Sequence, residues 1–321
     1  MTRPSAVPPP VTAVLDASSR WLPTRLGEVE DLLREQGGDY GELLAVDVAA
    51  TLAAGGKRLR PLLVLLCAGA GGGKGAVRAA AAIELVHMAT LVHDDVLDDA
   101  PLRRGMPTIA ATAGRSRATA VGDLLFSRAF SLLGEHDDAR AIALLAAASV
   151  SLADGELAQR RDAFDTEISE QRYLHRCRLK TATLFECACL LGRDIPALGE
   201  FGAQIGLAFQ LLDDVLDVSG PVERTGKARG TDLLDGTVTL PLIDAAAVDP
   251  SIRAANLRAL DAAAAERLCD RIAATGALDR VRSRALDLVT SAKARLDGNA
   301  FDAEQRQLLG LVADGVVQRY S

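Results

Sequence analysis

Apolar residues recur along this chain at helical spacing, and strand-like alternation is missing. Leu15, Leu22, Leu26, Val29 and Leu33 predict a surface helix over Val11–Glu35, ended by Gly37-Gly38. Leu43–Ala54 gives a second helix, stopped at Gly55-Gly56, and Pro61–Ala70 a third that is apolar nearly all round and therefore buried. Gly71–Gly75 reads as a loop. A long helix follows over Ala76–Asp99, broken by Pro101 and Gly105. Further helices are predicted over Ala118–Leu133, Asp138–Arg161, Glu167–Leu191 and Pro196–Val218. A loop over Gly226–Gly236, a helix over Thr239–Val248 and three amphipathic helices within Ser251–Ser321 complete the pattern. Residues 1–10, with Pro4 and Pro8 to Pro10, read as a loosely attached arm. No Pro- or Ser-rich linker divides the rest, so residues 11–321 are expected to form one all-α domain.

Two of these apolar helices end in the same five letters. Asp94-Asp95-Val96-Leu97-Asp98 recurs as Asp213-Asp214-Val215-Leu216-Asp217. Residues four apart on a helix are offset by about 40° and lie about 6 Å apart along the axis, so Asp94 and Asp98 share a face. Two carboxylates at that separation repel by about 3 kcal/mol at an effective dielectric near 20. Acids near a helix C-terminus also oppose its dipole. One such pentad is read most simply as a solvated helix end. Two identical copies, each ending a buried helix, point instead to a site between facing helices, where Mg²⁺ bridges carboxylates to a polyphosphate.

Composition and charge narrow the picture. The chain has 321 residues, 49% apolar and 3% aromatic, with a net charge of −7, which argues against a nucleic-acid partner. Its five cysteines lie in apolar runs without zinc spacing and read as reduced core thiols of a cytoplasmic protein. No signal peptide or transmembrane segment is expected. The bases cluster near the acids. Lys57, Arg58 and Arg60 stand at a glycine-opened helix N-terminus, which favours an anion. Arg103 and Arg104 follow the first pentad, Lys180-Thr181 interrupts an apolar helix, and Lys227 follows the second pentad. Such a set can hold two anionic groups, one through metal and one directly. His87 lies two turns before Asp94 on the same face; it is either a core residue or a donor to the second anion. His93 is left between packing and support of the site. Phe209 is either a core ring or a face for a carbocation.

In combination these segments resemble the trans-isoprenyl (polyprenyl) diphosphate synthases of the medium- and long-chain type. The resemblance rests on Gly55-Gly-Lys-Arg-Leu-Arg-Pro61, the first Asp-rich motif with Leu102-Arg-Arg-Gly105, Val121-Gly-Asp123 and Gly155-Glu-Leu-Ala-Gln159. It is completed by Lys180-Thr-Ala182, Phe209-Gln-Leu-Leu-Asp-Asp-Val-Leu-Asp217, and Gly226-Lys227 with Gly230, Asp232 and Thr239-Leu-Pro241. It implies an antiparallel helix bundle around a deep central cavity, the isoprenoid synthase fold, usually as a homodimer. The implied reaction is Mg²⁺-dependent 1′-4 condensation of isopentenyl diphosphate with an allylic diphosphate, with three ions when substrate is bound. It assigns Asp94, Asp98 and Asp213 to the metal, with Asp95, Asp214 and Asp217 supporting its shell. It assigns Arg103, Lys180, Thr181, Gln210 and Lys227 to the allylic diphosphate, and Lys57, Arg60, His87 and Arg104 to isopentenyl diphosphate. One position departs from the pattern: many relatives carry Lys where this chain has Thr237.

The helix before the first motif limits product length in this family, and Ala89 and Thr90 are the expected wall. Neither is aromatic, which favours a hexaprenyl to decaprenyl product over geranylgeranyl diphosphate, and added bulk at Ala89 is expected to shorten it. Leu85, Phe126 and Phe130 are the other residues able to close the cavity. Transient membrane contact for product release is also expected. A class I terpene cyclase is disfavoured by the repeated acidic motif and the second anion set. A non-catalytic subunit of a heteromeric synthase is disfavoured because both motifs are intact.

Overall fold

The computed structural model describes residues 9–36, 41–53, 58–103, 105–135, 138–220, 229–298 and 300–318. Most of residues 1–10 thus lie outside the described residues. The described chain is helical apart from one two-stranded hairpin, Leu102–Arg103 (β1) against Met106–Pro107 (β2), which is too short to leave an alternating pattern in the sequence.

The first predicted helix is two, α1 (Pro9–Ala17) and α2 (Leu22–Glu35). Pro23 cannot donate within a continuing helix, but it is tolerated in the first turn of a new one. After α3 (Gly41–Ala53), α4 (Leu59–Ala68) carries Pro61 in its first turn for the same reason. The long helix α5 (Gly73–Leu97) begins three residues before its predicted start. Gly73, at φ 57°, opens it, so glycines that read as loop are partly helix. Next come α6 (Ile109–Ala113), α7 (Arg115–Gly134) and α8 (Ala139–Asp162).

The predicted helix over Glu167–Leu191 is three pieces: α9 (Glu170–Cys177), a π-turn over Arg178–Ala182, and α10 (Thr183–Gly192). Then follow α11 (Pro196–Ser219), α12 (Thr231–Leu234), α13 (Leu240–Val248) and α14 (Pro250–Arg253). A 3₁₀ turn, Leu257–Ala259, precedes α15 (Ala262–Ala274), α16 (Ala277–Ala294) and α17 (Ala303–Gln318).

The core lies where α4, α5, α10 and α11 meet. Ile83, Leu85, Phe185 and Phe201 are fully buried there. α5 packs on α4, α7 and α10, while α11 packs on α10 and α16. The α10–α11 approach depends on glycine. A Cβ on Gly202 would lie 2.6 Å from the Phe185 carbonyl oxygen and 2.8 Å from the Cys189 sulfur. All five cysteines are buried free thiols, and burial pushes Cys177 and Cys187 up to about 12, so they stay protonated.

By length and composition α5 and α8 could each cross a membrane. The apolar stretch of α5 is 72% buried, as a core helix requires, whereas that of α8 is only 28% buried. Val150 and Leu157 project from its outer face, 63% and 68% exposed.

The glycine contacts give a paired test by urea denaturation. Gly202→Val is expected to cost about 1–3 kcal/mol through overpacking against backbone that cannot move aside. Gly27→Ala, in α2 with nothing within 4 Å of the new Cβ, should be neutral or stabilise by up to about 1 kcal/mol.

Candidate active site

α5 and α11 bring their acidic ends to opposite walls of one cavity of about 320 Å³. From α5 come His87, Thr90, Leu91, Asp94 and Asp98, residues within one stripe of a 3.6-residue helix. From α11 come Phe209, Gln210, Asp213 and Asp214. Lys180 and Thr181 enter from the π-turn, Arg60 from α4 and Arg103 from the hairpin. Ala89 does not line this cavity. It is fully buried, about 140° around α5 from Asp94. Thr90 is the member of the expected wall that faces in. Leu85 is core, and Phe126 and Phe130 pack on each other at 5.6 Å away from the lining. Lys57, Arg104 and Lys227 lie outside the described residues.

The first pentad is neutralised carboxylate by carboxylate. Asp95, buried behind the cavity wall, accepts from Arg103 Nε at 2.6 Å and so orients that arginine into the cavity. Asp94 faces Lys180 Nζ at 4.0 Å. Burial raises the Asp94 carboxyl above its ordinary value more than Lys180 lowers it. Asp98 caps α5 and accepts from Arg160 Nη2 at 2.6 Å.

Glu156 binds Lys180 and also accepts from Arg160 Nε, at 2.8 Å. Burial pushes the Glu156 carboxyl up, but these two cations outweigh it and hold it below the ordinary value. The π-turn that presents Lys180 and Thr181 can close on α8 only because residue 155 is glycine; a Cβ there would sit 2.7 Å from the Lys180 backbone nitrogen.

The second pentad is built differently. Asp213 and Asp214 line the cavity, while Asp217 accepts from the backbone N–H of Asp232 at 3.3 Å. That contact sets α12, which brings Asp232 and Asp235 to the same wall. Asp214, 2% exposed, accepts from the Tyr173 hydroxyl and from Gln210 Nε2 at 2.7 Å, and Gln210 in turn accepts from Thr181 at 2.7 Å. Burial and the charge of Asp232 push its carboxyl up to about 8, despite both hydrogen bonds.

Among the described residues, no three carboxylate, imidazole or thiol groups converge to hold an ion by themselves. The oxygen donors stand on two facing walls instead. That fits a hard cation whose coordination is completed by water and by phosphate oxygens from a ligand lying between them.

Arg60 and His87 stand at the side of the cavity where the guanidinium carbon of Arg60 lies 4.8 Å over the Phe185 ring. Phe185 packs on Phe209 at 5.6 Å, so Phe209 is both a core ring and part of the lining. His93 is a packing residue. A Cβ on Gly122 would meet its Nε2 at 2.2 Å, and Asp123 lies 3.3 Å from the same nitrogen.

The comparisons with known proteins agree with this geometry. The polyprenyl synthetase family model matches residues 42–272. The chain belongs to the polyprenyl synthetase family. It is 39% identical over 281 residues to heptaprenyl diphosphate synthase component 2 of Geobacillus stearothermophilus, covering 81% of this chain and 87% of that one. It is 33% identical over 281 residues to a geranylgeranyl diphosphate synthase of Methanosarcina mazei, covering 83% and 86%. A crystal structure of a polyprenyl synthase from Caulobacter crescentus, complexed with calcium and isoprenyl diphosphate, superposes with a TM-score of 0.89 at 34% identity, covering 99% of this chain and all of that one. These relatives are prenyl diphosphate synthases by name, a class of prenyltransferase, and this chain is a prenyltransferase.

Several residues of this polyprenyl synthetase site left little trace in the sequence. Tyr173 and Arg176 sit on α9, each nearly fully buried. Arg176 donates to the Val238 carbonyl at 2.6 Å, which holds the segment carrying Thr237 against the cavity. Phe164, at φ 64°, donates its N–H to the Gly236 carbonyl at 2.7 Å; its ring lies over Gly236 and under the Arg258 guanidinium at 4.1 Å. Arg160 reads as an ordinary helix-end arginine until α5 is placed beside it. Asp232 was visible only as part of the family pattern.

The Asp214 environment gives a pH prediction for the chain without divalent cations. A carboxyl raised to about 8 on folding holds a proton that the unfolded chain releases near its ordinary value of 3.8. Its contribution therefore favours the folded state least at high pH: stability is lost as pH climbs from about 4 through about 8. Melting temperature should fall across that range, and Asp214→Asn should flatten the slope. An unchanged slope in the variant would assign it to other groups.

Proposed function

We propose that the chain condenses isopentenyl diphosphate with an allylic diphosphate to make an all-trans polyprenyl diphosphate of medium or long chain. One observation carries this reading: aspartates of both acidic motifs line one cavity together with Arg60, Arg103 and Lys180. Mg²⁺ bound between those walls, three ions with substrate present, would neutralise charge growing on the departing diphosphate. Asp94, Asp98 and Asp213 are the proposed ligands, with Asp95, Asp214 and Asp217 holding their surroundings in place.

Arg103, Lys180, Thr181, Gln210 and, by family pattern, Lys227 bind the allylic diphosphate and stabilise the charge that appears as its C–O bond breaks. Arg60 and His87, with Lys57 and Arg104 by family pattern, hold isopentenyl diphosphate, whose double bond attacks the allylic cation. Leu91, Leu152, Leu184 and Phe209 keep water from that cation. The departed diphosphate, still held by the same cations, takes the final proton. Residues 11–321 act as one catalytic unit, in the cytoplasm, with membrane contact confined to product release.

The lining of α5 supports a medium or long product. Thr90 is small and faces the cavity, and no aromatic residue of α5 enters the lining. Geranylgeranyl diphosphate is the competing product, since one relative bears that name. A two-component arrangement is the competing assembly, since another is named as a component. The exposed apolar face of α8 supports a homodimer, because Val150 and Leu157 would be covered there.

Purified chain given Mg²⁺, labelled isopentenyl diphosphate and farnesyl or geranylgeranyl diphosphate is expected to yield hexaprenyl to decaprenyl products on chromatography. Asp94→Asn or Asp213→Asn should lower kcat/KM by about two to three orders of magnitude. No incorporation would remove the synthase reading, and activity only after adding a second protein would move it to the two-component form. Thr90→Tyr should shorten the product. Ala89→Tyr, which would insert a ring into packed core, should cost stability before it alters chain length. In sedimentation, Val150→Glu should turn a dimer into a monomer; an unchanged sedimentation coefficient would place the interface elsewhere.

A further inference from the structure

Arg160 is a cation of this site that lies outside both acidic motifs. It sits in the last turn of α8, lines the cavity, and is 43% exposed at its side chain. Its simplest role is an i,i+4 ion pair with Glu156, which on a helix surface contributes little. The geometry goes further than that. While Nε holds Glu156 at 2.8 Å, Nη2 crosses to α5 and holds Asp98 Oδ1 at 2.6 Å.

Asp98 is one of the two first-wall carboxylates proposed for the metal. An oxygen that accepts a charge-assisted hydrogen bond from a guanidinium resists giving its charge to a divalent ion, so Arg160 and the ion compete for Asp98. Displacement does not release the arginine. Glu156, which also binds Lys180, keeps its grip on Nε, so the freed Nη2 stays at the cavity beside Lys180. A guanidinium held by one edge, with its other edge open to the cavity, is suited to a phosphate oxygen.

Building on the synthase reading, we propose that Arg160 is an exchangeable counter-cation: it neutralises Asp98 while the site is empty, and transfers to the metal-bound diphosphate when the site fills. Empty-site metal binding is thereby weakened and diphosphate binding strengthened, so metal and substrate enter together.

The test uses the full chain as wild type, Arg160→Gln and Arg160→Lys. Mn²⁺ binding without diphosphate is followed by electron paramagnetic resonance. Inorganic pyrophosphate binding in excess Mg²⁺ is followed by calorimetry. Arg160→Gln should bind Mn²⁺ alone about tenfold more tightly and pyrophosphate about tenfold more weakly, the loss expected for one charge-assisted contact. Arg160→Lys should move both affinities the same ways by less. A damaged fold would weaken both, so opposite signs mark the exchange. Two affinities that move together, or do not move, overturn it. A wild-type chain with no Mg²⁺-dependent pyrophosphate binding would overturn the synthase reading itself.

Discussion

Carboxylates held at the end of buried helices are the constraint around which this molecule is arranged. α5 must be apolar to sit in the core, yet it ends in four acids within six residues. Those acids repel one another and oppose the helix dipole. The chain meets the cost with cations drawn from four other elements: Arg103 from the hairpin, Lys180 from the π-turn, Arg160 from α8 and, for Asp99, Arg115 from α7. Lys180 and Arg160 are shared with Glu156, so that acid belongs to the same charge network as the first motif. Asp214 is satisfied by neutral donors, Tyr173 and Gln210, and burial leaves its carboxyl pushed up.

Delivering Lys180 to that place is a packing problem before it is an electrostatic one. Lys180 and Thr181 reach the cavity from the π-turn, while Phe185 and Cys189 of α10 lie in the core. The π-turn supplies the extra residue, and Gly155 and Gly206 let α8 and α11 approach it; a Cβ on Gly206 would lie 2.8 Å from Ala182 Cα. The glycine of the Gly155-Glu156 pair and its acid thus serve one purpose, since the first admits the turn and the second binds its lysine.

Much of this was legible in the sequence where signals were local or repeated. Helical periodicity gave the all-α class and the main helices, because a buried apolar stripe is a one-dimensional pattern. The acidic pentads were legible because they are identical. What the sequence hid depends on tertiary contact. The break at Pro23 and the π-turn at Arg178–Ala182 lie inside continuous apolar periodicity. Arg160 and Tyr173 have no local signature, since each matters only through a residue on a distant element. Ala89 shows the same limit in reverse: its place in the family pattern suggested a cavity wall, and its angle on α5 turns it into the core.

The repeated pentad is also less symmetrical than its letters. In the first copy the third aspartate, Asp98, ends its helix and faces the cavity, where its charge is taken up by an arginine. In the second copy the matching Asp217 lies within α11 and accepts a backbone N–H, that of Asp232. Its charge is used at the start of α12, where it also favours the helix dipole. The residue it thereby places at the cavity is Asp232; Asp217 itself is not part of the lining. One wall reaches its last carboxylate directly, and the other reaches it through a short helix that its third aspartate anchors. Identical letters mark where acids are needed at a helix end, and the fold decides which of them face the cavity and which hold others there.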